Sequence, residues 1–277
     1  MKNFEIITLN VRGIRDQSKR QQVFHWLKTS SRASIFLLQE THLVTEDEAH
    51  KWSCEWSGRV TASRPTLLRC SWWASSASPH TGGTAILIRP SAQRQFTVVS
   101  VATPPQHNGG HATVQLKVGR DVVALHSIYS PAPAQLRVQF FEHLLASPLA
   151  PPEVVSLYGG DWNTVNVVAR DTMNMPVYDN TGAPQLNQFC TMHGLLDYWL
   201  ETEHSDQVGF TRYATDGMSA SRIDRCYVSA DKLERWRSLT VAPQPAFTDH
   251  NGLLIQFRPQ TKQVKSPHGG GIRSTCL

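Results

Sequence analysis

Short apolar runs that stop at polar residues organise this chain. FEIITLNV carries Asn10, ASIFLLQE ends at Glu40, VVALHSIYS delivers Tyr129, and VVSLYGGD delivers Asp161, with Asn163 two positions on. SRID adds Asp224, and FTDH adds Asp249 and His250. Runs this brief read as buried strands rather than as helices. In α/β folds ligands gather at strand ends, where a rigid sheet holds the loops. Each residue has a plain local explanation: Asn10 as a turn former, Tyr129 as a half-buried sheet residue, Asp224 as a surface charge, His250 as a satisfied core histidine. Asp161 and Asn163 could simply cap a turn. Those explanations serve singly and fail jointly, because six strand ends share the habit.

The remaining pattern suits one large α/β domain. KRQQVFHWLK sets Val23, Phe24 and Leu27 on one helical face. Residues 46–56 and 133–145 also read as helices, the second with Phe140, Phe141, Leu144 and Leu145 turned inward. TAILIRP (84–90), FTVVSVA (96–102), ATVQLKVG (112–119) and VVALHSIYSP (122–131) suggest a four-strand meander. Residues 58–80, with Trp72 and Trp73 among serine, alanine and glycine, read as a long surface loop. Residues 186–192 and 195–200 read as two helices split near Gly194. GFTRY, SRIDRCYVS and GLLIQFRP supply closing strands. No linker interrupts residues 1–258, and the Gly-rich, polar residues 259–277 are expected to be a flexible tail.

No apolar run approaches the eighteen or so residues of a membrane span. MKNFEIITLNVRG enters a strand pattern with no secretory h-region, so the expectation is an intracellular protein with no membrane partner. Cys54, Cys70, Cys190, Cys226 and Cys276 are scattered without C-x-x-C spacing, which argues against a disulfide framework and a structural zinc. The net charge of +5 is unevenly held. Residues 1–120 carry 15 Lys and Arg against 7 Asp and Glu, residues 121–277 carry 12 against 15. The basic first half suits a polyanionic partner, and the acidic second half a cation.

Glu40 and Asp249 are hard oxygen donors and Asn10 a neutral one, a set that suits Mg²⁺ or Mn²⁺ rather than zinc. There is no Walker loop and no G-x-S-x-G turn. A carboxylate for water, a histidine backed by a carboxylate and a cation together suggest phosphoester hydrolysis. General base catalysis alone supplies about 10²–10⁴-fold, whereas phosphoester cleavage needs accelerations towards roughly 10¹⁷. The cation and histidine must therefore neutralise charge on the phosphate.

LNVRG, LQETH, IYSP, GGDWN, SRIDRCYVS and TDH, in this order between about Phe4 and Phe257, resemble the endonuclease/exonuclease/phosphatase superfamily. The QETH form, the short IYSP segment, and FTRY followed by SRIDRCYVS are similar to the apurinic-type endonuclease domain of non-LTR (LINE-type) retrotransposons. The resemblance implies an α/β (α+β) four-layer sandwich, two mixed β-sheets packed together and flanked by helices. It implies a Mg²⁺-dependent DNA endonuclease, Mn²⁺ being the alternative ion, that nicks target DNA and leaves a 3′-hydroxyl for target-primed reverse transcription. Glu40 would bind the metal with Asn10 beside it. Asp161 would position or activate the water, Asn163 would hold it and the phosphate, and Tyr129 would bond a phosphate oxygen. His250 would stabilise the pentavalent phosphorus, with Asp224 fixing its tautomer, while Asp249 would polarise the site or reach the metal. Thr211 and Ser221 fall where family members contact the DNA backbone.

The implied partner is double-stranded DNA in the nucleus, met by a monomer. The tail resembles a linker leading to a reverse transcriptase module of the same element. Two departures stand out: Arg12 replaces the aspartate that repair enzymes place near the metal, and Arg170-Asp171 reverses a familiar Asp-Arg pair, which leaves the role of Arg170 unassigned. Two rivals stay open: a phosphatase or phosphodiesterase acting on small-molecule or lipid phosphates, and a degenerate copy that only binds nucleic acid. Trp162, between Asp161 and Asn163, should face away from them, since neighbouring strand residues alternate. Gly159 and Gly160 are expected to let the chain turn sharply at a sheet edge.

Overall fold

The computed structural model describes residues 2–58, 70–175, 178–202, 207, 209–215 and 217–260. The first half runs β1 (Phe4–Asn10), α1 (Gln17–Thr29), β2 (Ile35–Gln39), α2 (Glu46–Ser57), β3 (Ser71–Ala74), β4 (Thr84–Ile88), β5 (Thr97–Ala102), β6 (His111–Val118) and β7 (Asp121–Tyr129). Then follow α3 (Ala134–Leu145), β8 (Val154–Asp161), α4 (Val168–Asp171), β9 (Thr172–Met173), α5 (Ala183–Met192) and β10 (Leu195–Asp197). The chain closes with β11 (Arg212–Tyr213), β12 (Ala220–Ser221), β13 (Asp224–Ser229), β14 (Trp236–Val241) and β15 (Leu253–Phe257).

Two six-stranded mixed sheets result, ordered β14-β15-β1-β2-β4-β3 and β10-β13-β8-β7-β6-β5, with a small third sheet β11-β12-β9 beside them. The main core lies between the large sheets, where Leu37, Leu116, Leu157 and Val228 are buried. A second core, with Phe140, Phe141, Leu186 and Phe189, packs α3 and α5 on the outer face of the second sheet. On the first sheet's outer face, Phe24 of α1 and Phe36 of β2 meet Trp56 of α2 edge-on at 5.3 and 5.5 Å. Helix α2 starts in a capping box, Thr45 with Glu48, and ends at left-handed Gly58.

Several segments differ from the sequence reading. Ser71–Ala74 is a strand paired with β4, not loop, and Trp73 joins α2 by donating to Ser53 and meeting Trp52 edge-on. The meander has three strands, because β4 belongs to the first sheet between β2 and β3. All five residues of β4 are buried, as a central strand requires, whereas β5 is an exposed edge. Residues 195–200 are not a helix: Leu195–Asp197 pairs with β13, and a 3₁₀ turn follows. Left-handed Gly194 ends the preceding helical path, and three residues are too few to show a period. Strand β14 escaped notice because WRSLTV alternates only partly. Leu145 is only partly buried. The expected tail from residue 261 onwards lies outside the described residues.

Gly159 and Gly160 do not turn the chain. They lie inside β8, a central strand. A Cβ on Gly160 would run into the Ile128 carbonyl, and one on Gly159 would meet the Leu37 side chain at 2.8 Å. Glycine is needed here for close approach of a neighbouring strand and of the facing sheet.

Candidate active site

The alternation of β8 decides what its end presents. Leu157 faces the inter-sheet core and Tyr158 the helical layer, so Asp161 turns inward and Trp162 outward. Trp162 is fully buried against Tyr227, 4.9 Å between ring centres, as expected. Asp161 stands in register with Tyr129 of β7 on one side and Asp224 of β13 on the other. The first sheet answers from across the seam with Asn10 at the end of β1 and Glu40 just past β2. Beneath them Gln39 donates to Ser127 of the second sheet and to Thr8, a polar bridge that fixes the two sheets against each other.

One amide joins the carboxylates. Asn10 Nδ2 donates to Asp161 Oδ2 at 2.9 Å and to Glu40 Oε1 at 3.1 Å. Its Oδ1 accepts from the Arg12 amide at 2.9 Å, which fixes the orientation. Asn10, expected beside the metal, thus lies against both acids, with its NH₂ spacing Asp161 and Glu40 and its oxygen accepting from the Arg12 amide. Glu40 is further held by His42, Nε2 to Oε2 at 3.3 Å. Burial raises the Glu40 carboxyl, but the bonds from His42 and Asn10 outweigh it and the group sits below the usual carboxylate range.

Asp161 lies at the opposite extreme. Burial, then the Asp224 charge, then Glu40 push it up to about 7 against the opposing pull of His250. His250 Nδ1 and Asp224 Oδ2 are 2.9 Å apart, both buried. Burial alone would depress the imidazolium; Asp224, through charge and hydrogen bond, and then Asp161 and Asp249 lift it to about 9. Tyr129 stays a phenol, its acidity suppressed by burial and by the Glu40 and Asp161 charges. Asn163 is fixed from both ends, its amide donating to Asp161 Oδ1 and its Nδ2 to the Ser130 carbonyl.

Backbone strain collects at the same place. Arg12, Glu40, His42 and Asn163 all have left-handed φ, between 46° and 61°, a conformation that costs a non-glycine residue about 1 kcal/mol or more. His42 escaped the residue-by-residue reading although the QETH motif contains it.

The rim is cationic. Arg12 Nη1 reaches both oxygens of Asp249, at 3.0 and 2.8 Å, and Arg212 Nε adds 3.4 Å. Asp249 Oδ1 is 3.9 Å from His250 Nε2. Asp249, expected to polarise the site or reach the metal, thus sits between two arginines and His250. Beside it opens a groove of about 690 Å³ bordered by Arg12, Tyr213, Phe247 and Asp249. Thr211 and Ser221, expected against a DNA backbone, are both fully buried. Thr211 Oγ1 instead accepts from the Ile223 and Asp224 amides, so it aims Asp224. Arg170 pairs with Asp171, which also binds Arg222 and Arg225 in a buried network that includes Asp197. Among the described residues that network makes no ion pair with Asp161, Asp224 or His250.

Ligand atoms of Asp161, Asp224 and His250 lie within 4.8 Å of one another, close enough to hold a metal ion. The chemistry of the donors refines this. Asp224 Oδ1 is buried with no hydrogen-bond partner among the described residues, and Glu40 remains partly exposed beside Asp161. These are hard oxygens without a thiolate, a set that fits a hard divalent cation. His250, with Nδ1 on Asp224 and its proton retained, is the poorest ligand of the group.

Residues 7–250 match the Endonuclease/Exonuclease/phosphatase family. The chain is 30% identical over 255 residues to the Transposon TX1 uncharacterized 149 kDa protein of Xenopus laevis, an alignment spanning 91% of this chain and 18% of that protein. In fold it is similar to an AP endonuclease from Archaeoglobus fulgidus, with TM-score 0.68 and 17% identity over 92% of this chain and 99% of that one. It is similar also to the endonuclease domain of TRAS1, a telomere-specific non-LTR retrotransposon, with TM-score 0.59 and 15% identity over 93% of this chain and 99% of that one. The two-sheet sandwich between helices is thus the architecture shared with those structures.

Proposed function

Because this chain belongs to the Endonuclease/Exonuclease/phosphatase family, we propose that it is a Mg²⁺-dependent DNA endonuclease that hydrolyses one phosphodiester of target DNA. The nick would leave a 3′-hydroxyl from which reverse transcription starts. The observation that carries the reading is the convergence of Asp161, Asp224 and His250 within 4.8 Å, with Glu40 tied to Asp161 through Asn10. The likeness to a transposon protein favours DNA over a small phosphate ester.

Each residue then has a task. Asp161, poised near neutrality, accepts the proton of the attacking water in its ionised form, where proton acceptance is most effective. Asn163, clamped by Asp161 and Ser130, orients water and phosphate. His250, kept protonated by Asp224, presents Nε2–H to a non-bridging oxygen as negative charge builds there. The Tyr129 phenol donates to another. Glu40, with Asn10 beside it, would hold the cation, which when bound supplies Lewis-acid neutralisation of the phosphate. Arg12 and Arg212, around Asp249, add positive potential where the groove meets the cluster, the sign a DNA backbone needs.

The test is supercoiled plasmid with Mg²⁺, wild type beside Asp161→Asn. Open circles that DNA ligase reseals are expected from the wild type alone, since resealing requires a 3′-hydroxyl. Equal open circle from both proteins would defeat the proposal. DNA retention without any cleavage would point to a binding-only copy. Hydrolysis of a small phosphate ester without nicking would point to a phosphatase.

A further inference from the structure

The opposite end of the sandwich carries an arginine cleft that the catalytic reading does not use. Asp121 and Tyr129 mark the two ends of β7, roughly 26 Å apart at about 3.3 Å per residue, so the two ends are separate surfaces. Where β7 begins and β14 meets β15, a cleft of about 420 Å³ is lined by Arg120, Arg235, Arg237, Arg258 and Glu234. Arg235 is already spent: it pairs with Asp121 and lies 5.9 Å over the Phe257 ring. Asp121 is spent too, since its second oxygen accepts from the Gln260 amide at 2.6 Å.

That leaves Arg120, Arg237 and Arg258. All three are exposed, and none pairs with a carboxylate among the described residues. Against Glu234 they leave two uncompensated positive charges in one concavity. Arg237 owes its direction to a bulge. Trp236 faces Phe257 and Ser238 faces Gln256, so Arg237 is the extra residue between two paired positions. A bulge of this kind takes a side chain out of the normal alternation and re-aims it. The platform beneath is rigid, with Arg258 N donating to the Arg235 carbonyl at 2.8 Å.

We propose that this cleft is a second binding site for nucleic acid, gripping backbone phosphates of a segment other than the one at the catalytic cluster. Guanidinium forks match the oxygens of a phosphodiester, and all the uncompensated cations here are arginines. Nucleic acid is favoured over an acidic protein on the strength of the proposed nuclease activity, but binding here needs no cleavage.

The experiment measures fluorescence anisotropy of a labelled single-stranded oligonucleotide with the full chain, in EDTA so that nothing is cut. The comparison is the triple variant Arg120→Ala, Arg237→Ala, Arg258→Ala, with the single charge reversal Arg237→Glu as a second. Affinity should fall about tenfold in the triple variant, and the slope of log K against log salt should become shallower by about 2, as three phosphate contacts on a single strand require. Nicking of a short duplex should be unchanged. Unaltered affinity and slope in both variants would overturn the proposal. So would loss of poly-glutamate binding with oligonucleotide binding intact, which would assign the cleft to an acidic protein. A chain that never nicks DNA would refute the nuclease reading and leave this binding measurement standing.

Discussion

At the scale of single residues, the site works by pushing neighbouring acids apart. Asp161 is raised by burial and by Asp224, while Glu40, a hydrogen bond away through Asn10, is lowered by His42 and Asn10. Under the proposed activity two carboxylates in one cavity would thereby take different roles at one pH. The His250–Asp224 pair sets the third role. Replacing Asp224 with asparagine keeps the shape but removes the charge that lifts the imidazolium. Nicking should fall about 10²–10⁴-fold, and the His250 ring, followed by NMR, should titrate well below about 9. A variant that loses activity with His250 titrating as before would show that Asp224 acts otherwise. Much of the candidate set was legible in the sequence because Asn10, Glu40, Tyr129 and Asp161 stand at the ends of apolar runs, whereas Asp224 opens β13 and His250 precedes β15. The task of Asn10 was not, since an amide's direction depends on a backbone N–H two residues on. Nor was the burial of Thr211 and Ser221, which follows from sheet packing.

At the scale of elements, β8 is the part that tolerates least. Its two glycines read from sequence as a turn, and the structure gives them the reverse task of keeping a strand straight and close to its neighbours. Gly160→Ala forces a Cβ against the Ile128 carbonyl, so it should cost about 3 kcal/mol or more. Gly58→Ala, at a helix end with open space around it, should cost only about 1 kcal/mol through its left-handed backbone. Urea denaturation of the two variants checks the contrast, and equal midpoints would refute it. Helices α1 and α2 were readable from their one-faced or capped pattern, and β1, β2 and β7 because each is a nearly unbroken apolar run. Short ones, β3 and β10, were not, because four or three residues show no period and only pairing with β4 and β13 makes them strands.

At the scale of the whole molecule, a row of buried histidines lies beneath α3. His107 and His111 approach at 2.9 Å and His111 and His126 at 3.0 Å, and His126 stacks on Tyr158. Burial, then the neighbouring histidines, lower all three, His107 to about 4 and His126 to about 3. A histidine held neutral by the fold favours the folded state fully above its unfolded pKa of about 6.5. It loses that contribution as pH falls towards the folded value. Stability to urea should therefore drop between about pH 6.5 and 4, and His126→Gln should flatten that decline; an unchanged slope would contradict it. The site itself is assembled from both sheets, which pack face to face through the main core and are bridged by Gln39 and Ser127. A partly renatured molecule, with one sheet made and the other pending, would lack the proposed hydrolytic centre. Regain of nicking after dilution from denaturant is thus a clock for the last step of assembly.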